Sequence, residues 1–474
     1  MDTIKFGTDG WRAIIAQSFT VDNVKRVAKA TADWLNDNYE NPSIVLGYDC
    51  RFGGKLFAGA TAGVMGANGI KVFYAEGFVS TPMVSLGIVN HSASAGVVIT
   101  ASHNPPDYNG YKIKAHFGGP ALMGMIDDVE SRIPNELVEN SLSLDEMKSQ
   151  GLFEYVELEK KYCQHIEDNF AMDKIRGSSS SFAYDAMYGA GQNVIKNLLP
   201  DLKMVRCEHL PTFKGQAPEP IHRNLGEFSD LIKGTENLAS GLATDGDADR
   251  IGMYDDQGNF IDSHHIILLL IHYLYKYKEQ SGKVITTFSC TQKIAKMCQA
   301  YGLEHIITKI GFKYICEYMS KPEENVLMGG EESGGIAISS HIPERDGIWI
   351  GLVIWEFMAV TGKTLRELIQ EVYDVVGEFK VERSDLHINE ELKLAIIDNC
   401  NSGVYKSFGD YEIQRVEDMD GFKFHFANDE WVMIRPSGTE PVLRTYAEST
   451  TTERAFEILK ATESTILNNQ SVVA

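Results

Sequence analysis

Cysteine is scarce and unpatterned in this chain: seven residues in 474, with no CxxC pair and no spacing that gathers zinc ligands. That excludes a disulfide framework and points to a reducing compartment, so a cytoplasmic location is expected. Long hydrophobic runs are missing too. The longest purely aliphatic stretch, Ile266–Ile271, falls far short of a bilayer span, and the opening MDTIKFGTDGWR has no signal-peptide apolar region. Positive charge is in deficit, 44 Lys and Arg against 66 Asp and Glu, for a formal net charge of −22. Nucleic acid and anionic membrane both need a basic surface, so neither is expected as a partner. Low-complexity segments, heptads and short-period repeats are also lacking. An acidic chain can hold an anion only where cations and backbone N–H groups gather locally, which gives weight to basic residues inside glycine-rich motifs.

What is present is ordinary globular composition, 43% apolar and 23% charged, on a chain too long for one core. Several domains are expected. Strand and helix patterns alternate: Ser43–Asp49, a small-residue helix over Gly54–Ala67 stopped by Asn68-Gly69, then Ile70–Tyr74 and Gly96–Thr100. The alternation recurs through Ser181–Met187, Gly241–Thr244, a helix N-capped at Ser263, Lys283–Phe288 and Glu304–Ile310. Such spacing predicts mixed, mainly parallel, doubly covered sheets in three consecutive α/β domains. The last hundred residues change to strands at Tyr411–Val416, Gly421–Phe426, Trp431–Ile434 and Val442–Ala447 before a final helix, which reads as a smaller α+β domain.

Each block carries one motif. Thr100-Ala101-Ser102-His103-Asn104-Pro105-Pro106 follows the strand GVVIT, placing a serine at a strand's carboxyl end, where ligands collect in α/β folds. A plain strand-to-loop turn competes for the short tripeptide; the longer string through Asp107–Lys112 is far more specific. Asp245-Gly246-Asp247-Ala248-Asp249-Arg250 follows the strand GLAT. Alternate carboxylates on extended chain point the same way and can converge on one hard cation, for which Mg²⁺ is suited. An EF-hand reading fails, because Arg250 stands where glycine is needed and Asp256 where glutamate is. Gly329-Gly330-Glu331-Glu332-Ser333-Gly334-Gly335 sets polar groups between glycines, and His341–Gly347 (HIPERDG) supplies a second polar loop. Arg435-Pro436-Ser437-Gly438-Thr439-Glu440-Pro441 has the parts of a phosphate cradle, against which a hairpin turn competes.

In this order, with Phe6-Gly7-Thr8-Asp9-Gly10-Trp11-Arg12 at the start, the motifs closely resemble the α-D-phosphohexomutase family over essentially the whole chain. That family includes phosphoglucomutases, phosphomannomutases and phosphoglucosamine mutases, and the chain is most like its bacterial-type phosphoglucomutases. The resemblance implies three α/β domains at 1–150, 151–252 and 253–372 and a smaller α+β domain at 373–474, around a central cleft. It implies a phosphoserine at Ser102 and Mg²⁺ held by Asp245, Asp247, Asp249 and the phosphoserine. It implies a hexose 1,6-bisphosphate that turns over between two phosphoryl transfers. Lys112 is expected as general acid/base, with His103 second and a purely electrostatic Lys112 as the competing account. Arg12 is expected beside them. Glu332 and Ser333 are expected on sugar hydroxyls. Thr8, Arg250, Lys313 and Arg345 are expected among the substrate-binding groups, as are Arg435, Ser437, Gly438 and Thr439 on the phosphate not transferred. For Arg345 a loop salt bridge to Glu344 or Asp346 competes.

Glu-Glu-Ser in the third motif is more similar to glucose-type members than to the Glu-Gln-Ser or Glu-Met-Ser of other branches, so glucose is favoured and mannose comes next. The partners implied are small sugar phosphates, on a monomer or homodimer. Two other functions stay open: a metal-assisted phosphohydrolase, and a silent sugar-phosphate sensor. The separate RPSGTEP cradle argues against the first, and intact Ser102, Lys112 and three aspartates argue against the second.

Overall fold

The computed structural model describes residues 2–7, 10–178, 181–436 and 442–468. Its first sheet has six strands: β1 (Trp11–Ile14), β2 (Ser43–Tyr48), β3 (Lys71–Ala75), β4 (Ala95–Ile99), β5 (Tyr108–Ala115) and β6 (Phe153–Val156), in the order β1-β5-β4-β2-β3-β6. β2 pairs in parallel with β3 and β4, and β3 with β6, whereas β5 runs antiparallel to β1 and β4. Helices cover it because their apolar faces need burial. Val21–Asn38, started by Thr20 accepting from the Asn23 N–H, packs beside Gly54–Ala67.

The second sheet joins β7 (Phe182–Asp185), β8 (Lys203–Val205), β9 (Ser240–Thr244), β10 (Ile251–Asp255) and β11 (Phe260–Ile261) in the order β11-β10-β9-β7-β8. β9 and β10 form an antiparallel hairpin with Thr244 opposite Ile251, so the acidic motif is its tip. The tip is a turn, not the extended chain expected, with Ala248 at φ 57°. Convergence of the three carboxylates comes from that reversal. A further hairpin pairs Val326–Gly330 with Ile336–Ile338 and carries the third motif in its turn.

The chain divides into two compact units, Met1–Ile285 with Gly311–Gln370, and Thr286–Ile310 with Glu371–Ala474. The second contains an antiparallel sheet that includes Phe422–His425, Trp431–Pro436 and Val442–Ser449, packed through Ile396, Phe424, Ile434, Leu443 and Ile458. The first two sheets mix parallel and antiparallel pairs, whereas the C-terminal sheet is antiparallel, as α/β domains followed by a distinct C-terminal one require. The helix beginning at Ser263 is N-capped by Asp262, which accepts from the His265 N–H, and not by Ser263 as expected. Among the described residues no single helix is long and apolar enough to cross a membrane. The most apolar one, Gly347–Thr361, is buried from Gly347 to Met358 as a core helix.

Candidate active site

Ser102 lies just beyond β4, buried, with its backbone in the left-handed region at φ 51°. That conformation costs a non-glycine residue roughly 1–2 kcal/mol and needs outside support. The support is Arg51, which no sequence motif singled out. Its side chain is fully buried, with Nη1 donating to the carbonyls of Pro105 (2.8 Å) and Tyr108 (3.1 Å) and Nη2 to those of Ser102 and Asn104 (both 2.6 Å). One guanidinium thus holds the whole serine loop. Asp49 pairs with Arg51 at 3.3 Å and accepts from the Thr100 hydroxyl at 2.5 Å. Thr100 Oγ1 in turn accepts from the Ser102 N–H at 2.9 Å.

The serine hydroxyl donates to Asp245 Oδ2 at 2.6 Å, across the boundary from the first sheet to the second. That approach requires Gly246, where a Cβ would stand 2.4 Å from the Ser102 carbonyl oxygen. Asp247 is tied to the first domain twice: its carbonyl accepts from the Thr81 N–H and its Oδ2 from the Thr81 hydroxyl at 2.6 Å. Lys112, buried on β5, donates to Asp247 Oδ2 at 2.8 Å and to Asp249 Oδ2 at 3.0 Å. Asp245 Oδ1 accepts from the backbone N–H groups of Asp249 and Arg250.

Ligand atoms of Asp245, Asp247 and Asp249 all lie within 4.8 Å of one another. Burial and the neighbouring charges of Asp247 and Asp249 push the Asp245 carboxyl well above the usual range. Burial would raise Asp247 as well, but the Lys112 ammonium more than offsets it and holds that carboxyl low. Asp247 Oδ1 and Asp249 Oδ1 are buried and have no hydrogen-bond partner among the described residues. Buried carboxylate oxygens without a donor are costly unless a cation takes them. The donor set, three carboxylates beside a hydroxyl, is all oxygen and fits Mg²⁺.

Cations surround the serine. His103 Nδ1 is 3.4 Å from Ser102 Oγ, and burial, reinforced by Arg250, Arg12, Lys112 and Arg51, holds this imidazole well below its ordinary 6.5. It is therefore neutral at pH 7. Arg12 donates to the Asn104 side chain at 2.8 Å. The Glu332-Ser333 turn is half-buried and is fastened to the acidic hairpin: the Ile251 N–H donates to the Gly334 carbonyl, Arg250 bridges Gly335, and the Ser263 hydroxyl donates to the Glu332 carbonyl. Arg345 reaches Asp249 Oδ2 at 2.8 Å while also lying 3.7 Å from Glu344, so the cleft cation and the loop salt bridge coexist.

Lys313 and Arg435 have partners of their own. Lys313 Nζ lies against Met123 at 2.7 Å and over the Tyr314 ring, lowered in pKa chiefly by burial. Arg435 pairs with Asp420 at 3.0 Å within the second unit. Thr8, Ser437, Gly438 and Thr439 lie outside the described residues. His341, in the HIPERDG loop, is buried against Asp346, His165 and Trp349.

A serine hydroxyl on a carboxylate triad, with Arg12, Arg51, Lys112, Arg250 and Arg345 beside them in an acidic chain, is the equipment of a phosphoryl-transfer enzyme. Comparison with known proteins is specific. Four family descriptions match in order: phosphoglucomutase/phosphomannomutase α/β/α domain I at residues 3–139, domain II at 160–258, domain III at 262–376 and the C-terminal domain at 400–464. A phosphoglucomutase/phosphomannomutase of Thermococcus kodakarensis is 28% identical, with 96% of each chain covered. A phosphoglucosamine mutase of Limosilactobacillus fermentum is 31% identical, with 94% of each covered. The solved structure of a putative phosphomannomutase from Thermus thermophilus superposes with a TM-score of 0.87 at 29% identity, covering 98% of this chain and 100% of that one. The chain belongs to the phosphoglucomutase/phosphomannomutase family of α-D-phosphohexomutases, isomerases that work by intramolecular phosphoryl transfer.

Proposed function

We propose that this chain interconverts hexose 1-phosphate and hexose 6-phosphate, with glucose favoured, through a phosphoserine at Ser102 and a hexose 1,6-bisphosphate. The observation that carries the reading is the Ser102 hydroxyl on Asp245, beside two buried carboxylate oxygens without donors. In the forward half-reaction the bond from phosphorus to Ser102 Oγ breaks as one forms to the sugar hydroxyl, whose proton passes to a base while the departing Oγ takes a proton from an acid. After the bisphosphate turns over, Ser102 Oγ takes the other phosphoryl group and gives up its own proton. The anionic phosphoryl group arriving at Oγ would raise the proton affinity of His103, whose Nδ1 is 3.4 Å away and would take that proton. Lys112, whose bonds run to carboxylates, serves as acid and as a cation for the transferred group. Asp245, Asp247 and Asp249 would hold Mg²⁺, which would offset charge on that group. Glu332 and Ser333 would hold the sugar hydroxyls, and the 435–439 loop the second phosphate.

Glucosamine is the second reading, favoured by the name of the Limosilactobacillus relative. A side-by-side assay with Mg²⁺ and a trace of hexose 1,6-bisphosphate decides between them. Glucose 1-phosphate, mannose 1-phosphate and glucosamine 1-phosphate are compared while free phosphate is followed. Fast conversion of the glucose ester without phosphate release is expected; preference for another sugar would overturn the reading of Glu332-Ser333. Ser102→Ala is expected to abolish turnover, and near-normal activity in it would reject the phosphoserine.

A further inference from the structure

β5 delivers two lysines from one face of the strand, since Lys112 and Lys114 are two residues apart. Lys112 meets the acidic triad directly. Lys114 instead meets Glu344 at 2.8 Å, with both side chains fully buried. Glu344 Oε2 also accepts from the Ser85 hydroxyl at 3.0 Å. Its other oxygen faces the next residue, accepting from the Arg345 backbone N–H at 3.1 Å and lying 3.7 Å from Arg345 Nε. Arg345 then spans to Asp249, its guanidinium over the Phe312 ring at 5.4 Å. The space for that path comes from Gly335, where a Cβ would stand 2.5 Å from Arg345 Cδ.

A buried ion pair is a poor way to gain stability. Removing two charges from water costs several kcal/mol each, and a well-packed apolar pair of the same volume usually does as well. What Lys114, Ser85 and Glu344 achieve that an apolar pair could not is direction. They fix the main chain of Arg345 and hold a carboxylate 3.7 Å from its Nε.

We propose that Glu344 is a positioning residue, anchored by Lys114 and Ser85, that sets Arg345 against Asp249 and so fixes the charge balance of the acidic triad. The inference rests on the proposed mutase reading for its kinetic arm only. It assigns to one strand two cation deliveries to the same carboxylates: Lys112 in person, Arg345 by way of Lys114 and Glu344.

The test is a double-mutant cycle on catalysis with a parallel binding measurement. Glu344→Gln is expected to lower kcat about tenfold with KM within about twofold, and Arg345→Gln to lower it at least as far. The double variant is expected to match Arg345→Gln alone, because Glu344 acts only through Arg345. Losses that multiply would overturn the proposal, as would wild-type kcat in Glu344→Gln. Mn²⁺ titration of the purified chains provides the second arm. Glu344→Gln should shift the Mn²⁺ dissociation constant in the same direction as Arg345→Gln, and an unshifted constant rejects the positioning role. Should the wild type turn over no hexose phosphate, the mutase reading fails while the Mn²⁺ arm still decides this one. If Glu344→Gln does not fold, Lys114→Met with Glu344→Gln removes both buried charges together and carries the same expectations.

Discussion

Replacing Arg51 with methionine should cripple catalysis more than its distance from any substrate group suggests. The guanidinium makes four bonds to carbonyls of the serine loop. At ~1.5 kcal/mol for a charge-assisted bond, they outweigh the ~1–2 kcal/mol cost of the left-handed Ser102 backbone. Without them, the Ser102 N–H to Thr100 and Oγ to Asp245 bonds remain, and the backbone is free to relax. A displacement of ~1 Å at the nucleophile corresponds to about 10²-fold in kcat. Stability falls as well. Asp49 loses its countercharge, and removing one partner of a buried ion pair costs ~3–5 kcal/mol. For a domain of this size that is a melting shift on the order of 10 °C. Arg51→Lys keeps the charge but not the planar fork, and should lose about tenfold in kcat. Steady-state mutase kinetics beside thermal melts read both effects. A methionine variant that melts early yet keeps kcat within about twofold would show that the guanidinium supports the fold and not the nucleophile.

Gly246→Ala sets a Cβ 2.4 Å from the Ser102 carbonyl oxygen, so the serine and acidic loops must part. A fall of about tenfold or more in kcat is expected, and unchanged kinetics would deny the close approach its importance. Burial lifts the Asp49 carboxyl to about 6 against the pull of Arg51. The folded chain therefore binds that proton more tightly than the unfolded one, and Asp49's contribution to stability is lost as pH rises from about 4 to about 6, by roughly 3 kcal/mol. Denaturant midpoints across that range should slope less in Asp49→Asn; an identical slope assigns the titration elsewhere. Exhaustive chelation of divalent cations should abolish turnover and added Mg²⁺ restore it, whereas activity surviving chelation contradicts the role given to the aspartates.

The motif strings disclosed the nucleophile and the carboxylates because both sit at strand ends, where a short local pattern fixes geometry. β5 was hidden. Its sequence, YNGYKIKA, interrupts the strand with glycine and places lysines at alternate positions, so Lys112 was expected in the site by resemblance while the strand and Lys114 were not. Both lysines are buried, because carboxylates from the second and third domains come to meet them. No local pattern encodes a partner 135 or more residues away. Arg51 and Asp49 escaped for the same reason: their partners are backbone carbonyls of the serine loop and a threonine hydroxyl, and main-chain acceptors leave no trace in residue identity. The acidic turn was legible in its composition but not in its shape, which depends on Ala248 adopting a positive φ.

The bond from Ser102 to Asp245 joins residues 143 positions apart in the chain. At translation rates of ~5–20 residues per second, the serine leaves the ribosome roughly 7–30 s before its first carboxylate partner. Throughout that interval the nascent N-terminal block holds a nucleophile with no acidic triad beside it, and two lysines whose counterions have not been made. A chain cut short before Asp245 therefore lacks every carboxylate to which Ser102 Oγ and Lys112 Nζ donate here, and the nucleophile's surroundings are completed only once the second sheet's hairpin has been made.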